Sequence, residues 1–173
     1  MELAILADTH GLLRPEVLAH LKRADAILHA GDVNTPALAD QLRQIAPLHL
    51  VRGGGDRDWA ERIPHDLTLY LVRGNNDKAW AQSLPHDLTV TLAGVTFYLI
   101  HNRKEIVEDL GGVDAVVFGH SHRYVQEEKG GRLWLNPGSC GPRRFHQEIT
   151  MMMAHVSEGS LQVEKILLPR GEK

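Results

Sequence analysis

Leu3-Ala4-Ile5-Leu6-Ala7-Asp8-Thr9-His10 sets five apolar residues directly ahead of a carboxylate and an imidazole. A run this short, apolar at every position and not only at alternate ones, predicts a strand buried on both faces. The polar residues then stand where the strand stops. The same arrangement recurs along the chain. Ala26 to Ala30 runs into Gly31-Asp32, Leu69 to Val72 into Gly74-Asn75-Asn76-Asp77, Val95 to Ile100 into His101, and Val113 to Phe118 into Gly119-His120-Ser121-His122. Leu48 to Val51 is one more short run of this type. In an open α/β sheet, ligands gather outside the carboxyl ends of the strands. These donors are therefore expected to converge on one sheet edge.

Between the runs lie helical patterns. Pro15 opens one, with Val17, Leu18 and Leu21 following, and Thr35-Pro36 opens another, with Leu38, Leu42 and Ile45 on one face. Lys104 to Leu110 reads as a third helix, stopped by Gly111-Gly112. Beyond Gly119 the texture changes. Tyr124 to Glu128, Arg132 to Leu135, Ile149 to Val156 and Leu161 to Leu168 read as strands joined by Gly-rich turns. The first two-thirds thus predict β-α-β units and the last third antiparallel sheet.

The chain also repeats itself. Leu50-Val51-Arg52-Gly53-Gly54-Gly55-Asp56 returns as Leu71-Val72-Arg73-Gly74-Asn75-Asn76-Asp77, and Pro64-His65-Asp66-Leu67-Thr68 as Pro85-His86-Asp87-Leu88-Thr89. Residues 1–173 read as a single domain containing a duplication of about 50–69 and 71–90. One extra copy is too little for a solenoid. The second copy is expected to fill the native position, because Asn75 carries a donor where Gly54 has none.

A chain of 173 residues, 43% hydrophobic and 24% charged, has the composition of an ordinary globular domain. The formal net charge of -3 argues against holding nucleic acid by bulk charge, leaving it only as a substrate. No apolar run is long enough to cross a bilayer, and the N-terminus lacks the basic start of a signal peptide. Cys140 is the lone cysteine, so no intramolecular disulfide forms, which fits a cytoplasmic protein.

The strand-end donors are two carboxylates, one amide and four imidazoles: Asp8, His10, Asp32, Asn75, His101, His120 and His122. Mixed nitrogen and oxygen ligation suits Mn, Fe, Zn, Co or Ni and suits Ca poorly. The set is too large for one catalytic cation that keeps an open position. It is about right for two metals sharing a bridging carboxylate.

Asp8-x-His10, Gly31-Asp32, Gly74-Asn75, His101 and Gly119-His120-x-His122 together resemble the calcineurin-like metallophosphoesterase superfamily. The Asp8-Thr9-His10-Gly11 start and the Asn136-Pro137-Gly138-Ser139 turn are similar to its small bacterial phosphodiesterase branch. The resemblance implies a four-layer α-β-β-α sandwich of two mixed sheets with outer helices. It implies a first metal on Asp8, His10 and His122, a second on Asn75, His101 and His120, and Asp32 between them. Mn is the expected ion, with Ni, Co, Fe, Zn or Mg as substitutes. The implied activity is phosphodiester hydrolysis by attack of a hydroxide bridging the two metals, on a small phosphodiester substrate.

Asp32, Asn75 and Asp77 make up the expected catalytic group, with Asp77 orienting its neighbours. Asn76 stands where many superfamily members place a histidine that protonates the leaving group; an amide cannot do this. Asn76 and Arg143 are the expected substrate contacts, with Arg144 beside Arg143. Asn102 follows His101 where the family usually has glycine, so a different loop is expected there. His20, His29, His49, His65, His86, His146 and His155 read as hydrogen-bonded surface residues. Two rival readings stand: a catalytically weak or inactive scaffold, for which a retromer subunit of this fold is the precedent, and a phosphomonoesterase or nuclease of the same superfamily. The sequence leaves the oligomeric state open, a homo-oligomer included.

Overall fold

The computed structural model describes residues 1–56, 87–106, 109–144 and 147–170. Glu2–Leu6 forms β1, Pro15–Leu21 α1, Ala26–His29 β2, Pro36–Ile45 α2 and Leu48–Leu50 β3. Both helices start on a proline, whose missing N–H would be unpaired in that turn anyway. Thr35 caps α2, its hydroxyl accepting from the Leu38 N–H at 3.3 Å; such a cap contributes about 1 kcal/mol. β2 runs parallel to both β1 and β3.

The remaining strands are β4 (Leu88–Leu92), β5 (Val95–Ile100), β6 (Ala115–Phe118), β7 (Tyr124–Lys129), β8 (Arg132–Pro137), β9 (Thr150–Ser157) and β10 (Ser160–Leu167). They complete two mixed sheets of five strands, ordered β10-β9-β1-β2-β3 and β4-β5-β6-β8-β7. The two C-terminal hairpins divide between them. β7–β8 joins the second sheet, while β9 returns to pair antiparallel with β1. Ala93-Gly94, Gly130-Gly131 and Glu158-Gly159 turn the three hairpins with both residues at positive φ. That geometry matches the twist of the strands it joins.

The sheets pack face to face over Leu3, Ile5 and Leu28 from one side and Phe97, Leu99, Val117 and Leu135 from the other. The helices bury Val17, Leu21, Leu38 and Leu42 on the outer face of the first sheet, against Ala4, Leu6 and Ile27. β1 is buried on both faces because it lies at the centre of a sheet covered on both sides, as its unbroken apolar run predicts. Met151, Met152 and Met153 are buried in β9 beside it.

Two expectations need correction. The helix over Lys104–Leu110 does not form: Arg103–Glu105 is one 3-10 turn, and Ile106 is already extended at ψ 129°. The Asn102 side chain starts this turn by accepting the Lys104 N–H at 3.1 Å, and a tight turn is difficult to propagate. Among the described residues, α-helices therefore cover only the first sheet. The outer apolar face of the second packs on Ile106, Leu110 and Val113.

β4 was not expected. Its alternation Leu88, Val90, Leu92 is the period-2 signal of a half-buried strand, overlooked because Leu88-Thr89 belongs to the repeat. The first copy begins at Leu50, the last residue of β3, and β3 is the strand paired with β2. Gly53 of this copy stands against Asp32, while the tail of the second copy, from Asp87, leads into β4. The run Leu69 to Val72, with Asn75, Asn76 and Asp77, lies outside the described residues.

Candidate metal centre

β1, β2, β5 and β6 all end on one edge, and the polar residues that follow them meet there. The parallel ladder continues past the strands: Asp8 N–H donates to Gly31 O at 3.0 Å, His10 N–H to Asp32 O at 2.9 Å, and Gly119 N–H to His101 O at 3.1 Å. The chain turns sharply at each donor. Asp8, His10, Asp32, His120 and His122 all have positive φ, between 45° and 68°. For residues other than glycine this costs of order 1–2 kcal/mol each and gathers at functional sites. Gly31, at φ +90°, is required by crowding as well: a Cβ would lie 2.6 Å from His101 Nδ1 and 2.7 Å from Gly53 N.

Asp8, His10, Asp32 and His122 each present a ligand atom within 4.8 Å of the others. His10 Nε2 and His122 Nε2 are 3.4 Å apart, and His122 Nε2 is 3.4 Å from Asp8 Oδ1. Two atoms bound to one cation at about 2.1 Å, at a tetrahedral angle, would stand about 3.4 Å apart. His10 Nε2 lies 3.7 Å from Asp32 Oδ2 and 3.9 Å from Asp8 Oδ1. Asp8 is wholly buried, and neither of its carboxylate oxygens has a hydrogen-bond partner. Without a cation, burial and then the charge of Asp32 push its pKa well up, while Arg144 and the approaching His120 backbone N–H pull it down. A buried carboxylate facing two imidazoles fits a divalent metal, which would hold it ionised.

His101 and His120 flank this group. Their rings meet edge to face at 5.2 Å, and His101 Nε2 lies 4.0 Å from Asp32 Oδ1. The buried His101 donates Nδ1–H to Ala30 O at 2.8 Å. That bond fixes the tautomer and leaves Nε2 with a lone pair toward Asp32. Burial is the main cause that lowers the pKa of His10 and His101, and it pushes His122 down to about 4. The three rings are therefore neutral at pH 7 and able to ligate.

Three positioning residues were not expected. Asn34 faces His10 Nδ1 at 3.2 Å through its amide nitrogen, and its Oδ1 is buried without a partner. Turning the amide over lets Oδ1 accept Nδ1–H and frees His10 Nε2 for a cation. Asp56, the first-copy counterpart of Asp77, is fully buried and accepts from Asn34 N–H and, at 2.8 Å, from Gly53 N–H. His29 was read as a surface residue, but it is wholly buried. Its Nδ1 accepts Gly31 N–H at 3.2 Å, so Nε2–H donates to Thr9 Oγ1 at 3.0 Å, and burial lowers its pKa to about 3.

Asn136 braces the other side. Its amide donates to Gly119 O at 2.9 Å and Ser121 Oγ at 3.1 Å, while Ser139 Oγ donates to Asp8 O at 2.8 Å. The Asn136–Ser139 turn thus ties the loop of Asp8 to the loop of His120 and His122. Arg143 and Arg144 are both exposed, and Arg144 is the one whose charge acts on Asp8, His10 and His122.

The calcineurin-like phosphoesterase superfamily domain matches residues 1–159. The chain belongs to this superfamily. It is 28% identical over 158 residues to a protein of Methanothermobacter thermautotrophicus described as a probable metallophosphoesterase, covering 88% of this chain and 85% of that one. Among solved structures, an archaeal phosphodiesterase superposes with a TM-score of 0.66 at 18% identity, covering 97% of this chain and 100% of its own. A single mutant of Vps29 from Entamoeba histolytica superposes at 0.64 with 21% identity, covering 98% and 100%. At these identities the structural likenesses establish the shared fold, and the family assignment brings metal dependence with it. No described helix is long and apolar enough to cross a membrane.

Proposed function

We propose that the protein is a dinuclear metal-dependent phosphodiesterase. The observation that carries this reading is the unpartnered, buried Asp8 carboxylate set among His10, His122 and Asp32. Asp8, His10 and His122 would hold one ion, His101 and His120, together with Asn75 from outside the described residues, would hold the other, and Asp32 would serve both. The 4.0 Å approach of His101 Nε2 to Asp32 supports that sharing. Bound divalent ions, Mn in the first place, supply Lewis acidity and lower the pKa of water near the phosphate. The protein's own part is to hold neutral imidazoles and fixed carboxylates in place and to exclude water from Asp8. Asn76 offers no leaving-group proton, so esters with good leaving groups react best. The small substrate approaches from the exposed His120 and Arg144 side. The single buried thiol, Cys140, accords with work in the cytoplasm.

The test compares bis(p-nitrophenyl) phosphate with p-nitrophenyl phosphate on Mn²⁺-loaded protein. Faster turnover of the diester is expected, and preference for the monoester would point to a phosphomonoesterase. A scaffold reading draws on one observation: the first repeat copy, whose Gly53 lies against Asp32, continues into Gly54, which has no side-chain donor. Failure to hydrolyse either ester with Mn²⁺, Ni²⁺, Co²⁺, Mg²⁺ or Zn²⁺ would favour it.

A further inference from the structure

Beside His120 a cleft of about 540 Å³ opens between the turn after His101 and the loop leading into β7. Arg103, Lys104 and Arg123 line it, and among the described residues no acidic one does. The chain as a whole carries a net charge of -3, so three cations around one cleft are a local concentration and not a general basicity. A cleft lined by one sign of charge concentrates ligands of the other.

Local structure holds these cations in place. Asn102 accepts the Lys104 N–H at 3.1 Å and starts the 3-10 turn that sets Arg103 and Lys104 on the wall. The Arg103 guanidinium lies 5.7 Å over the Phe118 ring, within reach of the attraction between a cation and an aromatic face. Opposite, Arg123 N–H donates to Ser121 Oγ at 3.4 Å, and Ser121 is itself held by Asn136. His120 belongs both to this cleft and, through its contact with the His101 ring, to the donor cluster. The cleft and the donor cluster therefore adjoin at His120, and a ligand with its ester at the cluster can reach past it into the cleft.

We infer that this cleft binds a second phosphate carried by the substrate, so that the preferred substrate is a phosphodiester with a phosphate on one of its ester groups. This rests on reading the donor cluster as a phosphodiesterase site. A neutral aryl or alkyl group would have no partner for three cations, whereas a phosphate offers each of them an acceptor.

Calorimetric titration of Mn²⁺-loaded protein with thymidine 3′,5′-bisphosphate and with thymidine 5′-monophosphate tests the inference. The bisphosphate is expected to bind at least tenfold more tightly. That advantage should fall below about threefold in Arg103→Gln/Arg123→Gln, whose folding is checked by thermal unfolding, and should shrink with added salt. Equal binding of the two ligands by the wild type, or an undiminished advantage in the folded double variant, would overturn it. Wild-type hydrolysis of bis(p-nitrophenyl) phosphate, which has no second phosphate, is followed in parallel. Its absence would count against the phosphodiesterase reading, whereas its presence without a bisphosphate advantage would remove only the second-phosphate pocket.

Discussion

Gly53→Ala probes the junction between the duplication and the site. A Cβ at residue 53 would overlap the Asp32 carboxylate oxygen and backbone N and lie 2.6 Å from its Cγ. The backbone at Gly53 is not in the left-handed region, so the whole penalty is steric. Forcing an extra carbon into a packed place typically costs about 1–3 kcal/mol. Because a backbone atom is among the obstacles, a value near 2 kcal/mol is expected, roughly a thirtyfold fall in the folding equilibrium constant. Urea unfolding of chelator-stripped protein measures it, with Gly74→Ala, the same change in the second copy, as the counterpart. The larger loss should fall on Gly53→Ala, and Mn²⁺ affinity should fall with it as Asp32 is displaced. If Gly53→Ala matched the wild type within about 0.5 kcal/mol, or if Gly74→Ala did the greater damage, the first copy would not stand beside Asp32 as described.

Other expectations concern single side chains. Asn34→Gly keeps the positive φ of 68° accessible while removing the His10 contact; Mn²⁺ affinity should drop about tenfold or more with unfolding little changed, as read by calorimetry and urea titration. An unaltered affinity would exclude the positioning role. His29, with its folded pKa near 3, binds fewer protons folded than unfolded between that value and about 6.5. Its contribution is complete above the unfolded pKa and is lost as pH falls through the window. Between pH 6 and 4 the metal-free wild type should lose up to about 1.4 kcal/mol per pH unit more than His29→Gln, and parallel profiles would contradict this. Cys140 is buried, with its thiol pushed up to about 12 by burial. It should resist iodoacetamide at pH 8 until urea unfolds the chain, and rapid labelling of native protein would be inconsistent with this packing.

Much of this architecture is legible in short runs of sequence. The apolar residues of β1, β2, β5 and β6 each stop at a donor, and strand ends of a parallel sheet share an edge, so Asp8, Asp32, His101 and His120 could be brought together without coordinates. What escaped depends on packing or on local competition. His29 carries no sequence mark that separates a buried hydrogen-bonded ring from a solvated one; only the covered sheet makes it internal. Asn34 acts on the His10 ring, 24 residues away, and Asp56 on the Asn34 backbone N–H, 22 residues away. The failed helix after Lys104 has good helical spacing, but Asn102 offers its side chain to the next turn and Ile106 joins the apolar cover of the second sheet. Strand pairing with β2 is decided by chain connectivity from α2, which delivers Leu48–Leu50 first, so the first copy adjoins Asp32 although its Gly54 carries no donor.

The most direct test of the account is a Mn²⁺ titration of chelator-stripped wild type and Asp32→Asn, following bound metal per chain and bis(p-nitrophenyl) phosphate hydrolysis together. Two ions per wild-type chain are expected, with hydrolysis rising as they bind and falling at least a hundredfold in Asp32→Asn. Wild-type hydrolysis that persists without metal, or that Asp32→Asn leaves intact, would contradict the assignment of this cluster as the catalytic metal centre.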